Sequence, residues 1–195
     1  MCTNYENDAS PAAIADRFGL KELPDGIPVS NLRPTDPALI IRPGNTADIL
    51  HWGLVAEWSK QPIVNARAES LAEKPTFMPL LENRCLVPAS AYFEWRRDGK
   101  KRLKNRITLK DKGLMAFAGL VSDDRFTLIT CPPAPAIAHI HNRMPVILEP
   151  RAEAAWLGPD ARFDDVNKWL IPLAGDALQA TEETPPPDRQ ADLFS

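Results

Sequence analysis

The sequence predicts an α+β domain, with a curved, barrel-like and mostly antiparallel sheet and short flanking helices. Short apolar runs recur between turn residues, the punctuation of strands rather than of long helices. Helical spacing is confined to brief stretches, and strands and helices never settle into the βαβ rhythm of a parallel sheet. Twenty prolines in 195 residues are about twice the usual share of roughly 5% and interrupt longer helices.

The elements follow in order. Ser10-Pro11 ahead of AAIADRFGL supplies an N-cap, a first-turn proline and apolar helical spacing ending near Gly19. Prolines 24, 28, 34, 37 and 43 make residues 21–45 an extended, loop-rich segment. Ala38–Ile41, Arg84–Val87, Ala91–Trp95, Ile107–Leu109, Leu114–Leu120 and Phe126–Thr130 read as strands. Asp98-Gly99 is a hairpin signal between two of them. Asn65 is placed to cap a short helix through ARAESLAE. Pro150–Trp156 and Phe163–Leu170 read as short surface helices with aromatic anchors. No repeat of solenoid period is present. The organisation expected is one domain over residues 1–180 and a flexible Pro-rich tail over 181–195, led by prolines 185–187.

Composition bounds the function classes. Hydrophobic residues are 44% and charged residues 25%, the balance of a globular chain and not of a disordered one. No apolar run is long enough for a spanning helix, so a membrane partner is not expected. MCTNYENDAS has neither the basic nor the apolar part of a secretory leader. Three cysteines, Cys2, Cys85 and Cys131, suit a reducing compartment better than a disulfide scaffold. A cytoplasmic protein is expected, nucleoid-associated if bacterial, and nothing calls for more than a monomer.

The net charge of −3 conceals an uneven distribution. Residues 84–112 hold ten Lys or Arg against three acids, a local +7, so the remainder carries −10. Residues 149–195 alone carry −6, from ten acids against four bases. The basic stretch is either a solvated hairpin or, in part, a phosphate-attracting surface.

Four constellations carry chemistry. Cys2 follows a Met1 that methionine aminopeptidase removes before small residues, which leaves an α-amine and a thiol on one residue. With reference pKa values near 7.7–8.0 and 8.5, both are partly nucleophilic near neutrality. Such a residue can condense with an aldehyde to a thiazolidine or act as an N-terminal nucleophile on amides; the alternative is a frayed, incidental cysteine. NARAE (65–69) pairs an amide with Arg67, whose fork matches phosphate, unless it is simply a capped surface helix. In RCLVPASAYFEW (84–95), Glu94 lies between Phe93 and Trp95. Burial there would raise its pKa for proton transfer, whereas alternation also allows it to face solvent. In HIHNRMPVIL (139–148), His139 and His141 share a face if the segment is a strand. A proton shuttle, a structural role, or a zinc site completed by Cys131, Cys85 or Cys2 all remain open.

Met-Cys, WGL, NARAE, RCLVPASAYFEW and HNRMPVIL, in that order, resemble the SOS-response-associated peptidase (SRAP) family, from Cys2 to about Leu157. The resemblance implies a sensor of abasic sites in single-stranded DNA that forms a covalent thiazolidine crosslink through Cys2, with no metal or organic cofactor; lyase and autopeptidase chemistry are also open. It makes Cys2 the nucleophile, with Asn65 positioning its amine or the sugar oxygens. It makes Glu94 the catalytic carboxylate and His141 the proton-transfer histidine. Thr130 would contact sugar, Arg67 phosphate, and Pro34 and Trp58 the bases. The sequence departs from the family at Thr3-Asn4, where many members have Gly-Arg and an Arg–phosphate contact, and at Glu57, where some have a second aromatic. The rival readings are an N-terminal-nucleophile cysteine peptidase or amidase and a non-catalytic DNA-binding module working through residues 84–112. Separately, Gln190, Leu193 and Phe194 in QADLF resemble a peptide that docks on the sliding clamp.

Overall fold

The computed structural model describes residues 2–28 and 30–183. The chain opens with strand β1 (Tyr5–Asn7) and helix α1 (Pro11–Phe18), then runs through β2 (Ser30–Leu32), β3 (Pro37–Arg42) and β4 (Thr46–Trp52). A small hairpin, β5 (Leu54–Ala56) and β6 (Ser59–Ile63), precedes β7 (Asn65–Arg67). Five longer strands follow: β8 (Arg84–Ala89), β9 (Ala91–Asp98), β10 (Lys101–Leu109), β11 (Met115–Ser122) and β12 (Arg125–Cys131). The last elements are β13 (Met144–Pro145), β14 (Ile147–Leu148), α2 (Pro150–Trp156), α3 (Phe163–Val166) and β15 (Leu178–Glu182).

The larger sheet closes on itself. Its order is β13-β12-β4-β3-β8-β11-β14, and β12 also pairs with β11, so β12, β4, β3, β8 and β11 form a barrel. Only the pairings of β12 with β4 and with β7 are parallel; the others are antiparallel. The fold is therefore the curved, barrel-like and mostly antiparallel α+β arrangement that the sequence predicts. A second sheet, β15-β10-β9-β1-β2, lies beside it. The chain passes between the sheets at Ser90, which separates β8 from β9. There Ser90 N donates to Glu6 O (2.7 Å) and Asp8 N donates to Ser90 Oγ (3.2 Å). That junction fixes β1, and with it the N-terminus, against the barrel.

The interior is aromatic. The Tyr5 ring meets Trp52 and Phe117 edge-on at 5.1 and 5.9 Å, and Tyr92 meets Phe117 at 5.9 Å. Arg84 shows why part of the basic stretch is not a surface. Its side chain is buried and donates to the carbonyls of Trp156 (2.8 Å) and Ala161 (2.5 Å) and to Glu82 (2.5 Å). Helix α1 has its expected ends, with Ser10 Oγ accepting from Ala13 N and Gly19 left-handed at φ 60°. At the β9–β10 hairpin, the loop after Asp98 is Gly99-Lys100, with Gly99 at φ 58°.

Two expectations change. The helix expected to start at Asn65 is strand β7 followed by a single 3-10 turn, Ala68–Ser70. Parallel pairing with β12 claims Asn65–Arg67, overriding the local capping signal. His139 and His141 do not share a strand face: they lie in the turn after the 3-10 helix Pro135–Ile137, with His139 exposed and His141 half-buried. Strand β15 reaches Glu182, where Thr181 and Glu182 pair with Arg106 and Asn105 in β10. Residues Gln190, Leu193 and Phe194 lie outside the described residues. Among the described residues, no helix is long and apolar enough to cross a membrane.

Gly53 sets the direction of the β5–β6 hairpin. Its φ is 119°, and a Cβ there would lie 2.7 Å from Pro62 Cβ and 3.2 Å from Val64 Cγ1. Gly53→Ala is expected to destabilise the protein by about 1–3 kcal/mol through strain and overpacking. In a thermal melt, each kcal/mol is about 2–4 °C at this size.

Candidate active site

The site begins at the N-terminal edge of β1, which is held between β2 and β9. That pairing makes Cys2 fully buried rather than frayed. Its carbonyl accepts a 2.7 Å hydrogen bond from Asn65 Nδ2, and its thiol lies 3.6 Å from Asn4 O. Asn4 is itself buried, donating to Leu32 O at 3.2 Å, so it serves β2 and not the surface. Asn65 donates to Cys2 instead of capping a helix. Its Oδ1 is buried and has no hydrogen-bond partner among the described residues. Asn65→Ala is expected to lose about 0.5–1.5 kcal/mol from the missing bond. Asn65→Asp, isosteric but unable to donate to Cys2 O, should lose at least as much in the same melt.

Glu94 comes from β9 and is nearly buried, at 3% exposure. Desolvation raises its pKa, and the N-terminal charge, His141 and Arg102 pull it back only in part. His141 Nε2 lies 3.8 Å from Glu94 Oε2. His141 Nδ1 lies 3.1 Å from both the N–H and the carbonyl oxygen of Arg143, which fixes the ring with Nε2 toward Glu94. Burial, aided by the Glu94 charge, pushes the Cys2 thiol well above its ordinary value. Cys85 and Cys131, also buried, are pushed up to about 12 by desolvation. All three are free thiols.

Glu94 and His141 line a pocket of about 420 Å³ with Thr3, Trp95 and Arg102. Cys2, fully buried, adjoins it through its neighbour Thr3 and feels the Glu94 charge, and Asn65 is tied to Cys2. The other candidates lie around it. Thr130 is fully buried: its hydroxyl donates to Ala66 O (3.3 Å) and accepts from Arg143 Nη2 (3.2 Å). Arg67 is exposed at the end of β7, in register with Thr130. Pro34 is half-buried in the turn before β3, and Trp58, 73% exposed, tips the β5–β6 hairpin. Neither lines the pocket. Among the described residues, no group of three or more His, Cys, Asp or Glu is arranged to hold a metal.

The sequence left Arg143 without a role. Its guanidinium takes Glu69 in both arms, at 2.6 and 2.9 Å, and Nη2 also donates to Thr130 O at 2.6 Å. It thus ties NARAE to β12 while its own backbone orients His141. Glu69 and Arg143 both lie in quoted motifs, but a contact 74 residues apart has no local signal.

Comparison with known proteins gives the chain's relatives. The chain is 36% identical to the abasic site processing protein YoqW of Bacillus subtilis, over 92% of this chain and 91% of that one. It is 37% identical to the abasic site processing protein YMR114C of Saccharomyces cerevisiae, over 67% of this chain and 40% of that one. For YedK of Escherichia coli, another abasic site processing protein, the values are 31%, 56% and 54%. Among solved structures, a Bordetella bronchiseptica protein superimposes with a TM-score of 0.83 at 25% identity, covering 94% of this chain and 100% of that one. A Bacteroides thetaiotaomicron protein superimposes with a TM-score of 0.80 at 24% identity, covering 93% and 91%. The model of the SOS response associated peptidase (SRAP) family matches residues 1–184, which takes in both sheets and every residue of the pocket: the chain belongs to that family.

Proposed function

We propose that this protein processes abasic sites in single-stranded DNA by capturing the ring-opened sugar through Cys2, once Met1 has been removed. The observation that carries the reading is a buried Cys2, anchored by Asn65 and within the field of Glu94, next to the pocket that Glu94 and His141 line. The names of the relatives point to the same substrate.

The electrostatics favour an order of events. A thiol pushed up by burial and by Glu94 is not a standing thiolate. The α-amine, with a reference pKa near 8, is the better first nucleophile. It adds to the C1′ aldehyde, and water leaves to give an imine. The thiol then adds across C=N: a C–S bond forms, the thiol proton ends on nitrogen, and a thiazolidine results with net loss of one water. Glu94, with its raised pKa, donates a proton to the departing oxygen and accepts one from the thiol. His141, its Nε2 3.8 Å from Glu94 Oε2, stabilises the ionised carboxylate between those steps. Asn65 Oδ1 supplies an acceptor for the liberated amine. Peptide hydrolysis by Cys2 would call for a lowered thiol pKa, opposite to what burial produces.

The test is a denaturing gel of protein incubated with single-stranded DNA bearing one abasic site. A covalent band is expected that is lost when the N-terminal amine is blocked. Reversible binding without a band supports the DNA-binding module, and peptide cleavage without a band supports the peptidase.

A further inference from the structure

Half of the ten basic residues between 84 and 112 are neutralised within the fold. Arg84 is buried beside Glu82, and Arg96, Lys104, Arg106 and Lys110 pair with Glu182, Glu183, Glu6 and Asp176. Among the described residues, Arg97, Lys100, Lys101, Arg102 and Lys112 have no carboxylate within ion-pairing distance.

Two of these five oppose each other. Arg97 and Arg102 are direct partners across β9 and β10, so their side chains leave the same face of the hairpin. Like charges directly opposite are destabilising, and Glu94, at the same pocket, attracts Arg102 without forming an ion pair with it. Arg102 also packs its guanidinium over Trp95, 5.9 Å from the ring centroid, and lines the same pocket as Glu94, His141 and Thr3. The ring holds the planar fork in place, so less freedom is lost when it binds an anion.

We propose that Arg97 and Arg102 form a phosphodiester subsite, which holds the backbone phosphate next to the nucleotide whose sugar enters the Glu94–His141 pocket. The proposal rests on reading that pocket as an abasic-sugar site. Guanidinium forks match phosphate oxygens, and a phosphate between them relieves the repulsion that the free protein carries. Asn4, buried against Leu32, brings no charge to this task. The subsite places a cation pair on β9 and β10 instead.

The experiment measures equilibrium binding of single-stranded DNA carrying a tetrahydrofuran abasic analogue. The analogue has no aldehyde, so binding is independent of Cys2 chemistry. Anisotropy titrations over a salt series compare wild type, R97Q/R102Q and R96Q/K110Q. The last removes the same charge from bases already paired internally. R97Q/R102Q is expected to weaken binding about 10-fold at low salt and to reduce the salt slope by roughly 1. R96Q/K110Q is expected to stay close to wild type, and inorganic phosphate to compete only with the wild-type pair. Equal losses in the two double variants, or an unchanged slope in R97Q/R102Q, overturn the subsite. If the wild type still gives Cys2-dependent capture in that case, the pocket reading stands. If the wild type fails to bind this oligonucleotide, both fall.

Discussion

Cys2→Ala is expected to give no covalent band with abasic single-stranded DNA, while reversible binding of the same DNA persists. The two results separate because Cys2 supplies bonds to the sugar, whereas the hairpins around it supply the contacts to the strand. Cys2→Ser is the sharper variant. Like alanine it keeps the α-amine, so a hydrolysable imine still forms, but it also keeps the approximate shape, and a hydroxyl is a much poorer closing nucleophile than a thiol. Its adduct should therefore be hydrolysable and persist only when reduced with borohydride. A stable, unreduced band from either variant would remove Cys2 from the chemistry. The anchoring by Asn65 and the burial of the side chain leave little room for another nucleophile to take its place.

Glu94→Gln is expected to slow capture by about 10²–10⁴-fold, the usual contribution of a positioned acid–base group. DNA binding should change little, because Glu94 is nearly buried. The same variant should be more stable than wild type at neutral pH. Burial raises the folded pKa of Glu94 above its unfolded value. Its favourable contribution is thus complete below the ordinary carboxylate range and is lost as pH rises through the folded pKa. Glutamine carries no such penalty. The melting temperatures of the two proteins should converge in acid and separate toward pH 8, with the variant higher. A variant that is less stable at pH 8, or equally active, would contradict the role assigned to this carboxylate.

The strands that carry their own apolar run and turn signals were legible. The helix Pro150–Trp156 and the β9–β10 hairpin at Gly99 match what local sequence implies. Elements that exist through pairing alone were not. β1 has three residues and no periodicity; it is a strand because Tyr5 pairs with both Leu32 and Tyr92. β7 replaces the helix that an Asn65 cap would start, because β12 offers a parallel edge.

The site divides in the same way. Cys2, Asn65, Glu94 and His141 were legible as candidates, each with a bland alternative; burial removes the frayed reading of Cys2 and the solvent-facing reading of Glu94, and strand pairing removes the helix cap at Asn65. Glu94 faces inward rather than to solvent, and His141 rather than His139 meets it. Arg143 and the Arg97–Arg102 pair were not legible, because their meaning depends on which acids reach the other bases. Most of those partners are distant in sequence: Glu6 in β1, and Asp176, Glu182 and Glu183 in and beside β15, as with Arg96 and Glu182, 86 residues apart.

The most direct measurement is the intact mass of the denatured adduct formed without reductant. Amine-first capture with ring closure predicts the mass of the chain lacking Met1, plus the abasic oligonucleotide, minus one water. Fragmentation should place both the nitrogen and the sulfur of Cys2 on the sugar. An adduct on a chain that retains Met1, or one attached at any other residue, would contradict the account.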